Sequence, residues 1–137
     1  MGKFFDDIEF SINDYREYAP ITLAYIGDSV YELYIRSYLL KDANKTSYKL
    51  HRSAVKYVSA KNQAQILLGF IDTLSDEEKN VVRRARNQKT NTLPKNADPE
   101  DYKYATAFEA LIGYLYIKKD YERLQEILNK AVGEEKE

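Results

Sequence analysis

Residues 20–40 read Pro-Ile-Thr-Leu-Ala-Tyr-Ile-Gly-Asp-Ser-Val-Tyr-Glu-Leu-Tyr-Ile-Arg-Ser-Tyr-Leu-Leu, and they form the most clearly patterned stretch of the chain. Apolar residues recur in it at intervals of three, four or seven, which is the period of a helix with one buried face. Pro20 suits the first turn of such a helix. The pattern predicts a helix from about Ile21 to Leu40 whose core-facing stripe contains Leu23, Ile26, Val30, Leu33 and Leu40.

The same helical period continues along most of the sequence, and no pair of strands is evident. Ser75 is followed by three acidic residues, which is typical of a capped helix start. Residues 88–101 are polar and contain two prolines, so they form a predicted loop. We therefore predict an all-α fold with a single domain over residues 1–137 and a core over about 15–132. The predicted helices cover residues 21–40, 47–74, 75–87, 99–118 and 121–132.

Composition excludes several classes of protein. The 137 residues include no Cys, so thiol catalysis, iron–sulfur ligation and a disulfide framework are excluded. His51 is the single histidine, which excludes a multi-histidine metal centre within one chain. The longest apolar run is far shorter than the ~20 residues that span a bilayer, and the first residues are acidic rather than basic. No membrane association is expected, and the predicted location is the cytoplasm.

Charge is distributed unevenly, although the net charge is only −1. Residues 41–90 carry 11 Lys/Arg against 5 Asp/Glu, whereas residues 1–40 carry 3 against 7 and residues 91–137 carry 7 against 10. A basic segment between acidic ones suggests a nucleic-acid surface beside an acidic centre, because clustered cations gain affinity by counterion release. Ordinary solvated helix faces are the alternative.

Two carboxylates lie in stretches that otherwise look like core. Asp28 follows Gly27 in the first helix, and Glu109 is the only charge between residues 104 and 116. Small residues near both would let the two helices pack closely and bring the carboxylates together, which would suit Mg²⁺. Glu32 lies one turn after Asp28. In the alternative interpretation, these two residues form an exposed face paired with Arg36 or another basic neighbour.

The same residues carry a family resemblance. Residues 23–30 (Leu-Ala-Tyr-Ile-Gly-Asp-Ser-Val) resemble the signature helix of the ribonuclease III endonuclease domain, and residues 106–114 (Thr-Ala-Phe-Glu-Ala-Leu-Ile-Gly-Tyr) resemble its second acidic helix. Together with residues 84–89 and the Pro-Lys-Asn-Ala loop at 94–97, they look most like the Mini-ribonuclease III group, which lacks a C-terminal double-stranded-RNA-binding domain. The resemblance covers about residues 15–132.

Two positions depart from the family pattern. The larger family has a further glutamate where this chain has Ala24, and an aspartate where it has Thr106. Of the four family carboxylates, only Asp28 and Glu109 match, so the resemblance implies that these two are the catalytic residues and metal ligands. One firmly held Mg²⁺, for which Mn²⁺ can substitute, is expected, with a second brought by the substrate. Glu32 and Thr106 are candidates for supporting positions around the metal, with local packing or surface pairing as the alternative.

The resemblance implies hydrolysis of double-stranded RNA that leaves 5′-phosphate and 3′-hydroxyl ends. It also implies a homodimer with two active sites across a valley for the duplex, and a role in maturing the ends of precursor 23S ribosomal RNA, with a ribosomal-protein helper possible. Gly27 and the apolar stripe of the first helix would then belong to the dimer contact, as an alternative to burial within one subunit. The rival functions are a structured-RNA-binding module that does not cut and a helical interaction protein without nucleic acid.

Basic and polar residues of the middle segment are the predicted RNA contacts, because A-form RNA is recognised mainly through phosphates and 2′-hydroxyls. The first group is Arg84, Arg86, Asn87 and Lys89, and the second is Lys49, His51 and Arg52. Each group also has a purely structural alternative. The first group could complement the end of its own helix, the second could be a solvated face, and the single histidine could be structural.

Overall fold

The structure is a computed structural model that describes residues 7–10, 14–41, 46–88, 93 and 95–133. Within these residues it contains six α-helices, two short 3₁₀ turns and no strand, so the predicted all-α class is confirmed for them. None of the described helices is long and apolar enough to cross a membrane. The helices are α1 (Pro20–Leu40), α2 (Ser47–Val58), α3 (Ala60–Phe70), α4 (Asp76–Arg86), α5 (Pro99–Lys118) and α6 (Tyr121–Ala131).

Helix α5 is the centre of the fold, and α1, α3, α4 and α6 pack around it. Between Ala105 and Tyr116 every residue is buried except Thr106 and Glu109, which are partly buried. The sequence has Glu109 as the only charge between residues 104 and 116, and this agrees with the central position, because a helix surrounded by others is apolar on all sides. The two exceptions therefore mark the place where the surrounding layer opens.

The buried face of α1 differs from the predicted stripe. Leu33 and Leu40 are 52% and 56% exposed, so their predicted place in the core is wrong. The buried residues instead recur every fourth position and include Gly27 and Tyr31, which are not part of the predicted stripe. The Tyr31 ring packs edge-on against Phe108 at 5.0 Å, and its hydroxyl donates a hydrogen bond to a backbone carbonyl of α2.

The predicted long helix over residues 47–74 is two helices. Ser59 has an extended backbone, with φ −64° and ψ 149°, and ends α2. Its hydroxyl then accepts a hydrogen bond from the Asn62 amide at 3.3 Å and caps α3. The periodicity continues through this residue, which is why the sequence shows no break. The consequence of the turn is that α2 contacts α1, whereas α3 packs on α5.

A buried ion pair joins α4 to α6. Ser75 and Glu78 form the capping box at the start of α4, which confirms the predicted cap. The Glu78 carboxylate also accepts hydrogen bonds from Arg123 Nε at 2.8 Å and Nη2 at 2.9 Å. Burial opposes ionisation of Glu78, but the hydrogen bonds from Arg123 and Ser75 outweigh it and hold its pKa below the ordinary value. This contact fixes α6 against the end of the fold away from residue 59.

Candidate active site

Helices α1 and α5 cross in direct backbone contact. A Cβ atom built on Gly27 would lie 1.8 Å from the Glu109 carbonyl oxygen, and one built on Gly113 would lie 1.9 Å from the Leu23 carbonyl oxygen. Ordinary van der Waals contacts of a Cβ begin near 3.4 Å, so both positions require glycine. Of the two sequence-based interpretations of Gly27, burial within the chain is therefore the one observed.

This crossing places Asp28 beside Glu109. The two side chains are close enough for the Asp28 carboxyl to raise the Glu109 pKa through hydrogen bonding and charge. Both line a cavity of about 340 Å³ that is formed by α1, α3, α5 and the end of α2. Asp28 lies at its exposed side, and Glu109 is partly buried. The sequence-predicted pair is thus brought together, from parts of the chain 81 positions apart.

The environment of Glu109 resists a second negative charge. Burial is the largest cause and, together with Asp28 and the more distant Glu32, raises the pKa of Glu109 to about 9. Hydrogen bonding from the Gln63 side chain opposes this rise. A carboxyl with such a pKa stays protonated at neutral pH unless a nearby positive charge compensates its own.

Gln63 is a site residue that the sequence analysis missed. It lies on α3 with only 3% of its surface exposed, and its side chain lines the same cavity. Its Nε2 donates a hydrogen bond to the Val58 carbonyl at 3.1 Å, whereas its buried Oε1 has no hydrogen-bond partner among the described residues. Its position four residues before Leu67 and seven before Phe70 was the available signal, because both of those residues are buried.

Thr106 and Glu32, the two candidates for supporting positions around the metal, have different surroundings. Thr106 lines the cavity with Asp28 and Glu109. Glu32 does not line it and instead forms an exposed ion pair with Arg36, 3.6 Å between Oε1 and Nη2. The surface-pairing alternative therefore holds for Glu32, whose influence on Glu109 is electrostatic. Ala24, where the larger family has a glutamate, also lines the cavity and contributes no oxygen.

The donor set suits a hard divalent cation. Two carboxylates, the Thr106 hydroxyl and the unpartnered Gln63 oxygen face one cavity, and oxygen ligands are those that Mg²⁺ and Mn²⁺ prefer. Among the described residues, no group of three or more His, Cys, Asp or Glu side chains lies close enough to hold a metal. Two carboxylates with water completing the coordination shell match the way Mg²⁺ is usually bound. The residues present therefore fit the implied cofactor.

The first predicted RNA group lies at the end of α4. Arg86 stands over the Tyr104 ring of α5, 6.0 Å from its centroid, and Asn87 is exposed. Neither Arg86 nor Asn87 is among the residues that line the cavity. Arg84 is partly buried and donates from Nη2 to the carbonyl oxygens of Arg16 and Tyr18, at 3.2 and 3.1 Å. Arg84 thus has a structural contact that the sequence did not predict. Lys89 lies outside the described residues.

The second predicted RNA group lies on α2. Lys49, His51 and Arg52 are all exposed, which a phosphate-binding surface requires and a solvated face also shows. His51 and Glu32 share a groove between α1 and α2, and Val58 at the end of α2 lines the cavity. Val58 is thus the residue of α2 that is shared by this groove and the cavity.

Comparison with known proteins identifies the family. The model of the family described as "Ribonuclease III domain" matches residues 21–120, which include both acidic helices. The chain belongs to the ribonuclease III family. The resemblance seen in the sequence is thereby confirmed, and the predicted activity is supported at the level of an endoribonuclease of the ribonuclease III family.

Relatives of similar length strengthen this membership. The chain is 50% identical over 114 residues to Mini-ribonuclease 3 of Thermoanaerobacter sp. (strain X514), which covers 83% of this chain and 80% of that protein. It is 41% identical over 134 residues to Mini-ribonuclease 3 of Clostridium tetani, covering 97% and 89%. A crystal structure of a Fusobacterium nucleatum protein has the same fold, with a TM-score of 0.81, 36% identity and coverage of 88% of this chain and 97% of that one.

Proposed function

We propose that this ribonuclease III family member hydrolyses phosphodiester bonds of double-stranded RNA with Mg²⁺, or Mn²⁺ as its substitute, and leaves 5′-phosphate and 3′-hydroxyl ends. The observation that carries the proposal is the convergence of Asp28 and Glu109 on one open cavity, although they lie on helices far apart in sequence. Membership of the family supports the reaction type. The two relatives reported above are named Mini-ribonuclease 3.

The residues of the chain have distinct parts in this reaction. Asp28 and Glu109 would hold the cation, which when bound stabilises negative charge on phosphoryl oxygens and lowers the pKa of water. Glu109 would release its proton as the cation binds, because the added positive charge offsets the burial and the Asp28 charge that raise its pKa. Thr106, whose hydroxyl can donate and accept, would orient water or a phosphate oxygen from the cavity wall.

Two basic surfaces would hold the RNA backbone. One surface is formed by exposed residues of α2, and the other by Arg86 and Asn87 at the end of α4. An RNA duplex is recognised through phosphates and 2′-hydroxyls across its shallow minor groove, so side chains of this kind suffice without base contacts. The α2 residues are Lys49, His51 and Arg52, and Lys89 belongs to the proposed surface by sequence alone.

A homodimer would complete the duplex-cutting unit. Ile21 and Tyr25 are 53% and 80% exposed on one face of α1, and both line the cavity. Large exposed apolar side chains beside a functional site are typical of an interface. The two strands of an RNA duplex are related by two-fold axes, so a two-fold dimer would present one cavity to each strand. Precursor 23S ribosomal RNA, a ribosomal-protein helper and a cytoplasmic location complete the proposal, on the resemblance alone.

The test is cleavage of a bare labelled RNA duplex with Mg²⁺, using wild type, Asp28→Asn and Glu109→Gln. We expect products with 5′-phosphates from the wild type only, and none after addition of EDTA. Single-stranded RNA and a DNA duplex of the same sequence are the substrate controls. Wild-type protein that is folded and binds the duplex but yields no products with Mg²⁺ or Mn²⁺ would overturn the proposal.

A non-cutting RNA-binding module is the second candidate. The cavity has Ala24 and Thr106 where the larger family has carboxylates, and this reduced donor set favours that alternative. Binding that is unaffected by EDTA and by Asp28→Asn, without products, would identify the module. The same assay therefore distinguishes the two functions.

A further inference from the structure

Gln63 has a buried polar atom without a protein partner. It is 3% exposed, and its Nε2 is tied to the Val58 carbonyl at 3.1 Å. Its Oε1 is buried and accepts no hydrogen bond from any described residue. Buried acceptors in native proteins are almost always satisfied, and those without a protein partner usually mark a bound water or ion, or a catalytic role.

The position of Gln63 suggests what the missing partner is. Gln63 lines the cavity that Asp28 and Glu109 also line. Its Nε2 is bonded to the Val58 carbonyl, so the buried carboxamide oxygen is the polar atom that remains for a donor inside the cavity.

We propose that Gln63 is a positioning residue whose carboxamide oxygen accepts a hydrogen bond from a water molecule of a hydrated divalent cation held by Asp28 and Glu109. This inference rests on the proposed function. Water is the expected donor because Mg²⁺ keeps several of its waters when only one or two carboxylates bind it. The Val58 contact fixes the amide, so its oxygen is held in place before the cation arrives.

The test compares Gln63→Leu with Gln65→Leu. Both changes replace glutamine by leucine on α3, but Gln65 is exposed. Binding of Mn²⁺ to the purified protein is measured by electron paramagnetic resonance, from the loss of the signal of free Mn²⁺. Loss of a hydrogen-bonding partner around a metal commonly weakens affinity by about 10–100-fold. We expect a rise of about tenfold in the Mn²⁺ dissociation constant for Gln63→Leu and no change for Gln65→Leu.

Cleavage provides a second measurement. The Mn²⁺ concentration for half-maximal cleavage of an RNA duplex should rise by the same factor in Gln63→Leu, while the rate at saturating Mn²⁺ stays close to that of wild type. Circular dichroism confirms that both variants are folded. Should Gln63→Leu fail to fold, Gln63→Met provides an unbranched side chain of similar length without the amide, and we expect the same rise in the Mn²⁺ dissociation constant.

The outcomes separate this inference from the function on which it rests. Folded Gln63→Leu with the wild-type Mn²⁺ affinity overturns the inference alone, provided that wild type binds Mn²⁺ and cuts RNA. Folded Gln63→Met with the wild-type Mn²⁺ affinity likewise overturns it under the same condition. A wild-type protein that binds no Mn²⁺ and cuts no duplex overturns both.

Discussion

Substituting Gly27 by alanine should damage both the stability and the activity of the protein. The added Cβ would lie 1.8 Å from the Glu109 carbonyl oxygen, whereas ordinary contact begins at 3.4 Å, so α1 and α5 would have to separate by 1.6 Å. The opposing atom belongs to the backbone of a buried helix and cannot swing aside. Overpacking typically costs about 1–3 kcal/mol, and we expect a loss of about 3 kcal/mol in the free energy of unfolding.

The same displacement moves the two carboxylates apart, since Asp28 follows Gly27 and the contacted carbonyl belongs to Glu109. A misplacement of about 1 Å can reduce a rate by about 10²-fold, so we expect RNA cleavage to fall by at least that factor. Gly69→Ala is the matched control, because no atom lies within 4 Å of its added Cβ. Alanine in a helix interior should there increase the unfolding free energy by about 0.5–1 kcal/mol.

Urea unfolding of the three proteins measures the stability change, and cleavage of an RNA duplex at a temperature well below every unfolding midpoint measures the activity. Gly27→Ala with wild-type stability would show that the helices do not cross as closely as described. A destabilised but fully active Gly27→Ala would show that the separation of Asp28 and Glu109 does not matter for cleavage. Either result would refute the reasoning.

Three further predictions concern charged side chains. Because the pKa of Glu109 is raised, the folded, metal-free protein binds more protons than the unfolded chain. The free energy of unfolding of the wild type should therefore fall as the pH rises from about 4.5 to about 9. Over this range, the stability advantage of Glu109→Gln in urea unfolding should grow by up to about 1.4 kcal/mol per pH unit. Arg84→Met loses the hydrogen bonds to two carbonyls and should lower the free energy of unfolding by about 1–3 kcal/mol in urea unfolding. Arg86→Met should lower it by about 0.5 kcal/mol and mainly weaken RNA binding in filter assays. Equal stability losses for the two variants would contradict the structural contact of Arg84. Arg123→Met leaves Glu78 buried without its ion-pair partner and should lower the free energy of unfolding by about 3–5 kcal/mol at pH 7. Because the ion pair lowers the pKa of Glu78, the difference between variant and wild type should disappear as the pH falls below 4.5, the ordinary pKa of a glutamate. A difference that does not change with pH would show that the ion pair is not its cause.

Much of the fold could be predicted because local chemistry marks the helix ends. Ser75 with Glu78 forms the capping box that the sequence indicates, and Pro99 begins α5. The break at Ser59 could not be predicted, because the apolar period passes through it and a single serine hydroxyl serves as the cap. The predicted buried face of α1 is wrong because an apolar pattern does not include glycine. Gly27 is nevertheless buried, and its lack of a side chain allows the close contact between α1 and α5.

The candidate site could be predicted only in part. Asp28 and Glu109 stand out because charge is unusual in apolar helices, and the structure brings them together. Gln63 is neutral and lies in a mixed stretch, so its burial depends on the register of α3 against α5. Glu32 lies on the same helix as Asp28, yet its ion pair with Arg36 directs it away from the cavity. Such differences depend on tertiary packing rather than on spacing along the chain.

The crossing of α1 and α5 suggests how this protein could be engineered. Main-chain atoms meet at Gly27 and Gly113, so the spacing of the two helices there is set by the polypeptide itself and not by the bulk of neighbouring side chains. Repacking the apolar interior around α6 for heat tolerance should therefore leave the carboxylate spacing intact. Stability and cleavage chemistry would become separately adjustable as long as those two glycines are kept.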